Sequence, residues 1–166
     1  TATPSAKLEV TEDILVNGIT IGRGGGSVSN NTAIGNGALS SNTGAVENTA
    51  IGVGTLSSNS TGYSNTAIGA YALYVSNGLN NTATGTNALR FLTAGSYNTA
   101  NGGEALLNTL GTSNTGIGFR AGMTNTGGSN NTFLGDNADA NFNTLNNATA
   151  IGYNAEVDAS NKIQLG

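Results

Sequence analysis

Read along the chain, apolar positions follow neither a helical period nor a long alternation. They return as one short block, Thr-Ala-Ile-Gly preceded by Asn, at nearly constant spacing. The copies begin at Asn31, Asn48, Asn65, Asn81, Asn98, Asn114, Asn131 and Ala148, at intervals of 17, 17, 16, 17, 16, 17 and 17 residues. Thr and Gly fill their columns in eight of eight copies and Asn in seven. The Ile column reads Ile34, Ile51, Ile68, Thr84, Asn101, Ile117, Leu134, Ile151. Three residues after each Gly comes a second element: Ala38-Leu39, Thr55-Leu56, Ala72-Leu73, Ala88-Leu89 and Ala105-Leu106. The last three copies keep the Ala but lose the Leu, as Ala121-Gly122, Ala138-Asp139 and Ala155-Glu156. Ser, Asn and Gly fill the intervals, residues that accept positive φ or bond their own backbone in turns.

This pattern predicts two short strands and two turns per repeat. Asn, Thr and Gly are poor helix formers, and the apolar spacing is not 3.6. The expected fold is all-β: a parallel β-roll or β-solenoid of eight rungs, each about 17 residues, stacked in register. Eight turns at roughly 4.8 Å give a rod of about 38 Å. Because side chains alternate along a strand, Thr32 and Ile34 share one face, and Asn31, Ala33 and Gly35 the other. Thr49, Ile51 and Gly52, then Thr66, Ile68 and Gly69, repeat the arrangement as structural positions. The Asn column forms either a stacked amide ladder or a series of turn starts. Three or four apolar groups per turn are few against the entropy of ordering 17 residues. An oligomer about a common axis is therefore expected, with the small Ala and Gly face letting backbones of different chains approach.

Two regions flank the repeats. Residues 1–26 read as a strand-rich cap or connector, and 27–166 as the roll with a shortened last rung at Asn161–Gly166. In the cap, Lys7–Val10 and Ile14–Val16 look like strands, and Asn17-Gly18 is a turn signal. Ile19–Gly22 mimics the repeat strand as a cap or irregular first rung. Arg23-Gly24-Gly25-Gly26 reads as a flexible joint, and Glu12-Asp13 as a solvated turn. The stop at Gly166 suggests a natural chain that continues.

Composition narrows the functions. The 166 residues include 26 Gly and one Pro, and only 8% are charged. Gly lacks a three-residue period, which excludes collagen. The net charge is −4, and the five basic residues are scattered, so no nucleic-acid partner is expected. No apolar run approaches 18 residues, so no membrane insertion by a helix is expected in this segment. Cys and His are absent, which removes metal sites built on them and the common catalytic triads. No enzyme activity, catalytic residue or cofactor is expected. Asp136 and Asp139, a closely spaced acidic pair within the repeats, are a weak Ca²⁺ candidate through oxygen ligands and a still weaker carboxylate pair for glycoside hydrolysis by a depolymerase spike, against a solvated turn. Among the aromatics, Tyr74, Phe91, Tyr97 and Phe142 fall in inter-rung loops. They are candidate receptor contacts, or else pack under the loops or between chains.

The Asn-Thr-Ala-Ile-Gly unit followed by Ala-Leu resembles the head repeat of trimeric autotransporter adhesins, the YadA-like head. The match is close over residues 31–152 and looser over 19–166. Similar repeats occur in bacteriophage tail-fibre and other virion-fibre proteins, and the opening Pro4–Val10 with Ile14–Gly18 looks more like those. The resemblance implies a homotrimer whose three chains wrap one axis as a left-handed parallel roll. It also implies a fibre on a virion that works with other virion or fibre proteins and a host receptor, glycan or protein. The alternative is an adhesin head on a bacterial surface. The chain departs from the adhesin pattern in having no heptad stalk and no membrane barrel, and in keeping Thr where the family uses Val or Ser. A lower alternative is an ice-binding solenoid, suggested by the Thr column but weakened because its same-face partner is Ile.

Overall fold

The computed structural model describes residues 12–28 and 30–166; the expected strand at Lys7–Val10 lies outside them. Thirteen strands are found among the described residues: β1 (Ile14–Val16), β2 (Ile19–Gly22), β3 (Thr32–Gly35), β4 (Thr49–Ile51), β5 (Thr66–Ile68), β6 (Thr82–Thr84), β7 (Thr99–Asn101), β8 (Thr115–Ile117), β9 (Thr132–Leu134), β10 (Asp139–Ala140), β11 (Thr149–Ile151), β12 (Glu156–Val157) and β13 (Ile163–Leu165). Eleven of them make one sheet, and β10 pairs with β12 in a second. From β3 onward every pairing is parallel. Thr32 lies beside Thr49, Thr49 beside Thr66, and so on to Thr132 beside Thr149. The chain is a β-solenoid of about eight turns, and β13 adds the shortened last rung by pairing Ile163 with Thr149.

The alternation of faces resolves inward and outward. Ala33, Ala50, Ala67, Ala83, Ala100 and Ala150 are completely buried, and the motif Asn residues line the same interior. Thr and Ile point outward. The Ala and Gly face expected to let separate chains approach is therefore the core of a single chain. What approaches closely there is the next turn of the same backbone. At the motif Gly the fit leaves no room for a side chain: a Cβ on Gly85, at φ 126°, would lie 2.6 Å from the Gly102 carbonyl. This stacking contact explains why the Gly column has no exception.

The second element is not the strand expected in every repeat. Leu39, Leu56, Leu73, Leu89 and Leu106 sit at φ 48–51°, each a left-handed corner that turns its side chain into the core. A second strand forms only in the last two full rungs, where Asp139 and Glu156 replace Leu and β10 and β12 pair. The changeover is compensated by volume. Gly122 takes the Leu position and, in the next rung, Phe133 replaces an Ala. A Cβ on Gly122 would lie 2.5 Å from the Phe133 ring, so that ring fills the space the missing Leu leaves.

The motif Asn residues form the amide ladder. Nδ2 of Asn65, Asn81, Asn98 and Asn114 donates to Oδ1 of the preceding Asn at 3.1, 3.1, 3.1 and 3.2 Å. The same Oδ1 atoms accept the backbone N–H of the next Asn at 2.9–3.0 Å. Each Nδ2 also donates to a turn carbonyl, as from Asn81 to Gly95 at 3.0 Å. The column thus satisfies polar backbone that the turns carry inside.

At the N-terminal end the strand at Ile14–Val16 and the turn at Asn17-Gly18 are where the sequence puts them, and of the two readings of Ile19–Gly22 the structure has the cap. β1 and β2 form an antiparallel hairpin, and β2 runs antiparallel to β3, so Ile19–Gly22 is a cap and not a rung. Arg23–Gly26 is packed down and is not a free joint. Gly25 N–H donates to Leu39 O at 2.9 Å, and a Cβ on Gly24 would lie 2.6 Å from Leu39 Cβ. Asp13 is no solvated turn residue either: its carboxylate accepts the N–H groups of Arg23 at 2.6 Å and Gly24 at 2.8 Å.

Candidate functional site

Two surface features stand out from this frame. The first is the outward face of the long sheet. It carries two columns, Thr and Ile, with Ile68 and Ile117 both 40% exposed and Leu134 42%. Neither column contains a charged residue. Thr84 and Asn101 interrupt the Ile column in the middle rungs. Because the strands stack in register, the result is a straight ribbon of methyl and hydroxyl groups along the roll.

The second feature lies beyond the Leu corner of the third and fourth rungs. Tyr71 and Tyr74 meet edge to face, with centroids 5.6 Å apart at 73°. The Arg90 guanidinium carbon stands 5.1 Å from the Tyr71 ring, 5.7 Å from Tyr74 and 5.2 Å from Phe91. Arg90 Nη1 donates to Asn87 Oδ1 at 3.2 Å. Tyr74 and Phe91 are therefore brought together, through Arg90. Tyr97 and Phe142, more exposed than either, stand outside this group of ring contacts. Sequence reasoning missed Arg90 and the part played by Tyr71. The signal was present in the 16-residue step that sets Leu89 beside Leu73, because the same step sets Arg90 beside Tyr74.

The acidic candidates serve the backbone. Asp136 Oδ1 accepts the Phe119 N–H at 2.9 Å. The Asp139 carboxylate accepts the N–H of Thr124 at 3.0 Å and of Ala140 at 2.8 Å. Burial pushes the Asp139 carboxyl above its ordinary range, and these hydrogen bonds only partly oppose the shift. Among the described residues no group of three or more His, Cys, Asp or Glu is placed to hold a metal. Elsewhere Arg120 pairs with Glu104 at 2.7 Å while lying over the Phe119 ring. Lys162 pairs with Asp158 at 2.7 Å, and its hydrogen bond and charge hold that exposed carboxyl below the usual value. No helix among the described residues is long and apolar enough to cross a membrane. In comparisons with known proteins, no family model, curated protein or solved structure matches this chain.

Proposed function

We propose that the chain is a structural segment of a trimeric fibre on a virion, such as a phage tail fibre, that presents its turns to a host surface receptor. The observation that carries this reading is the uncharged Thr/Ile ribbon. An uncharged face with exposed Ile or Leu on most rungs, broken only at Thr84 and Asn101, is the kind of surface that marks an interface. Its occupant is a second and third copy of the same chain, because equal columns on equal rungs register against one another about a common axis. The number three rests on the resemblance to fibre and adhesin repeats. The rod then acts as a rigid spacer, and its variable turns carry contact with a glycan or protein. Binding to other fibre proteins would extend it. The same geometry serves an adhesin head on a bacterial surface. A membrane barrel encoded in the same gene would favour the adhesin, and a chaperone domain the fibre.

Light scattering tests the assembly. The expected mass is about three times the 16.4 kDa of one chain, and a double substitution, Ile68→Asp with Ile117→Asp, should reduce it to that of one chain. A stable wild-type monomer would refute the reading. The outward Thr column also supports a second reading, an ice-binding solenoid. A monomer that shows thermal hysteresis would favour it over the fibre.

A further inference from the structure

We infer that Tyr71, Tyr74, Arg90 and Phe91 form a binding site for a carboxylated sugar, a uronic or sialic acid residue of a surface polysaccharide. The inference rests on the attachment half of the proposed function and names the ligand class. It does not depend on the number of chains in the rod.

The first support is an uncompensated charge. Arg120 and Lys162 each meet a carboxylate. Arg90 meets none: its hydrogen-bonding contact is the neutral Asn87 amide, and its Nε is buried with no acceptor. A guanidinium has five donors in a planar fork that matches a carboxylate in bidentate fashion. Three rings within cation–π reach hold this fork in place and keep part of it from water, so an arriving anion need not order the side chain. The chain's net charge is −4, so anions are not drawn to it in general. Recognition must be local, and Arg90 supplies it.

The second support is the apolar surface beside the charge. Tyr71 and Phe91 are 38% and 42% exposed, so parts of both rings stay open next to the guanidinium. A pyranose carries C–H groups that rest on such rings while its carboxylate reaches the cation. A neutral sugar leaves Arg90 unpaired, and a simple anion leaves the rings uncovered.

The Tyr71 ring is also held in place from below. Tyr71 has φ 57°, and the same left-handed position is taken by Gly37, Gly54, Asn87, Glu104, Arg120, Asn137 and Asn154 in the other rungs. Its ring lies over Gly54, where a Cβ would sit 2.8 Å from it.

Saturation-transfer NMR and titration on the whole 166-residue chain test this, with oligogalacturonate and oligosialic acid as probes and maltooligosaccharide as the neutral control. One or both acidic probes should bind, and which one does identifies the source of the carboxylate. Arg90→Gln and Tyr71→Asn should each weaken binding at least 10-fold. Tyr71→Asn should keep the wild-type melting temperature or exceed it, since Asn occupies that position in three other rungs; this separates loss of ligand from loss of fold. No binding of either acidic probe, equal binding of the neutral one, or wild-type affinity in both variants would overturn the inference. A trimer by light scattering with no sugar binding would sink the site and leave the fibre standing; a monomer that binds would do the reverse.

Discussion

Asn81→Ala probes the interior ladder at its centre. In the wild type, Asn81 Oδ1 accepts the Asn98 N–H at 2.9 Å and Asn98 Nδ2 at 3.1 Å. Its Nδ2 donates to Asn65 Oδ1 at 3.1 Å and Gly95 O at 3.0 Å. After truncation two of these four partners keep another bond: Asn98 Nδ2 still reaches Gly111 O, and Asn65 Oδ1 still receives the Asn81 N–H. The Asn98 N–H and the Gly95 carbonyl lose their side-chain partner inside the roll. A buried polar group left unsatisfied costs about 1–3 kcal/mol, so two cost about 2–6 kcal/mol. Denaturant unfolding at fixed protein concentration reads this, with Asn36→Ala as control because Asn36 is exposed and its side chain donates to the cap, at Gly18 O. The control should stay within about 0.5 kcal/mol, the range of ordinary surface changes. A loss below about 1 kcal/mol in Asn81→Ala would refute the idea that the ladder is what satisfies the buried turns.

Other consequences follow from the same packing. Gly85→Ala should cost at least about 2 kcal/mol, because the new Cβ meets the Gly102 carbonyl and the backbone stays at φ 126°; a thermal melt unchanged from wild type would contradict the stacking argument. Gly122→Leu and Phe133→Ala should each destabilise, by clash and by cavity. The double variant restores the arrangement of the earlier rungs and should recover most of the loss, with a coupling of about 2 kcal/mol in a double-mutant cycle. For Asp139, the folded carboxyl titrates above its unfolded value, so the folded state binds the extra proton between the two. Its stability contribution is present below the ordinary carboxyl range and is lost as pH rises through the raised value. The melting temperature of Asp139→Asn relative to wild type should therefore rise from pH 3 to pH 7, and a flat difference would contradict the burial.

The repeat unit made the roll legible, because a Gly column without exception and a 16–17-residue step have few other solutions. The Asn ladder was legible as one of two options; what decided it was the inward direction of the strand face, which periodicity alone does not give. The same ambiguity led the Ala and Gly face to be expected between chains, whereas it is the interior of one. Ala33 and Ile34 alternate on opposite faces either way, and only the closure of the coil puts Ala inside. Ile19–Gly22 was legible only as a cap or an irregular rung, because local composition does not encode strand direction. The Leu residues looked like strand residues because left-handed Leu is uncommon, and here the core contact holds it in place. Arg90 escaped notice because its partners are adjacent through the stacking step and not along the chain.

The proposed fibre requires the Thr/Ile ribbon to be where copies meet. Because the chain has no cysteine, a single spin label at Thr99→Cys on the ribbon, compared with one at Thr93→Cys in an exposed turn, reports that contact by pulsed electron paramagnetic resonance. Packed sheets sit about 10 Å apart, so labels at Thr99 on different chains should couple at short range, and labels at Thr93 should be farther apart. Close coupling at Thr93 with none at Thr99 would place the contact elsewhere and contradict the account.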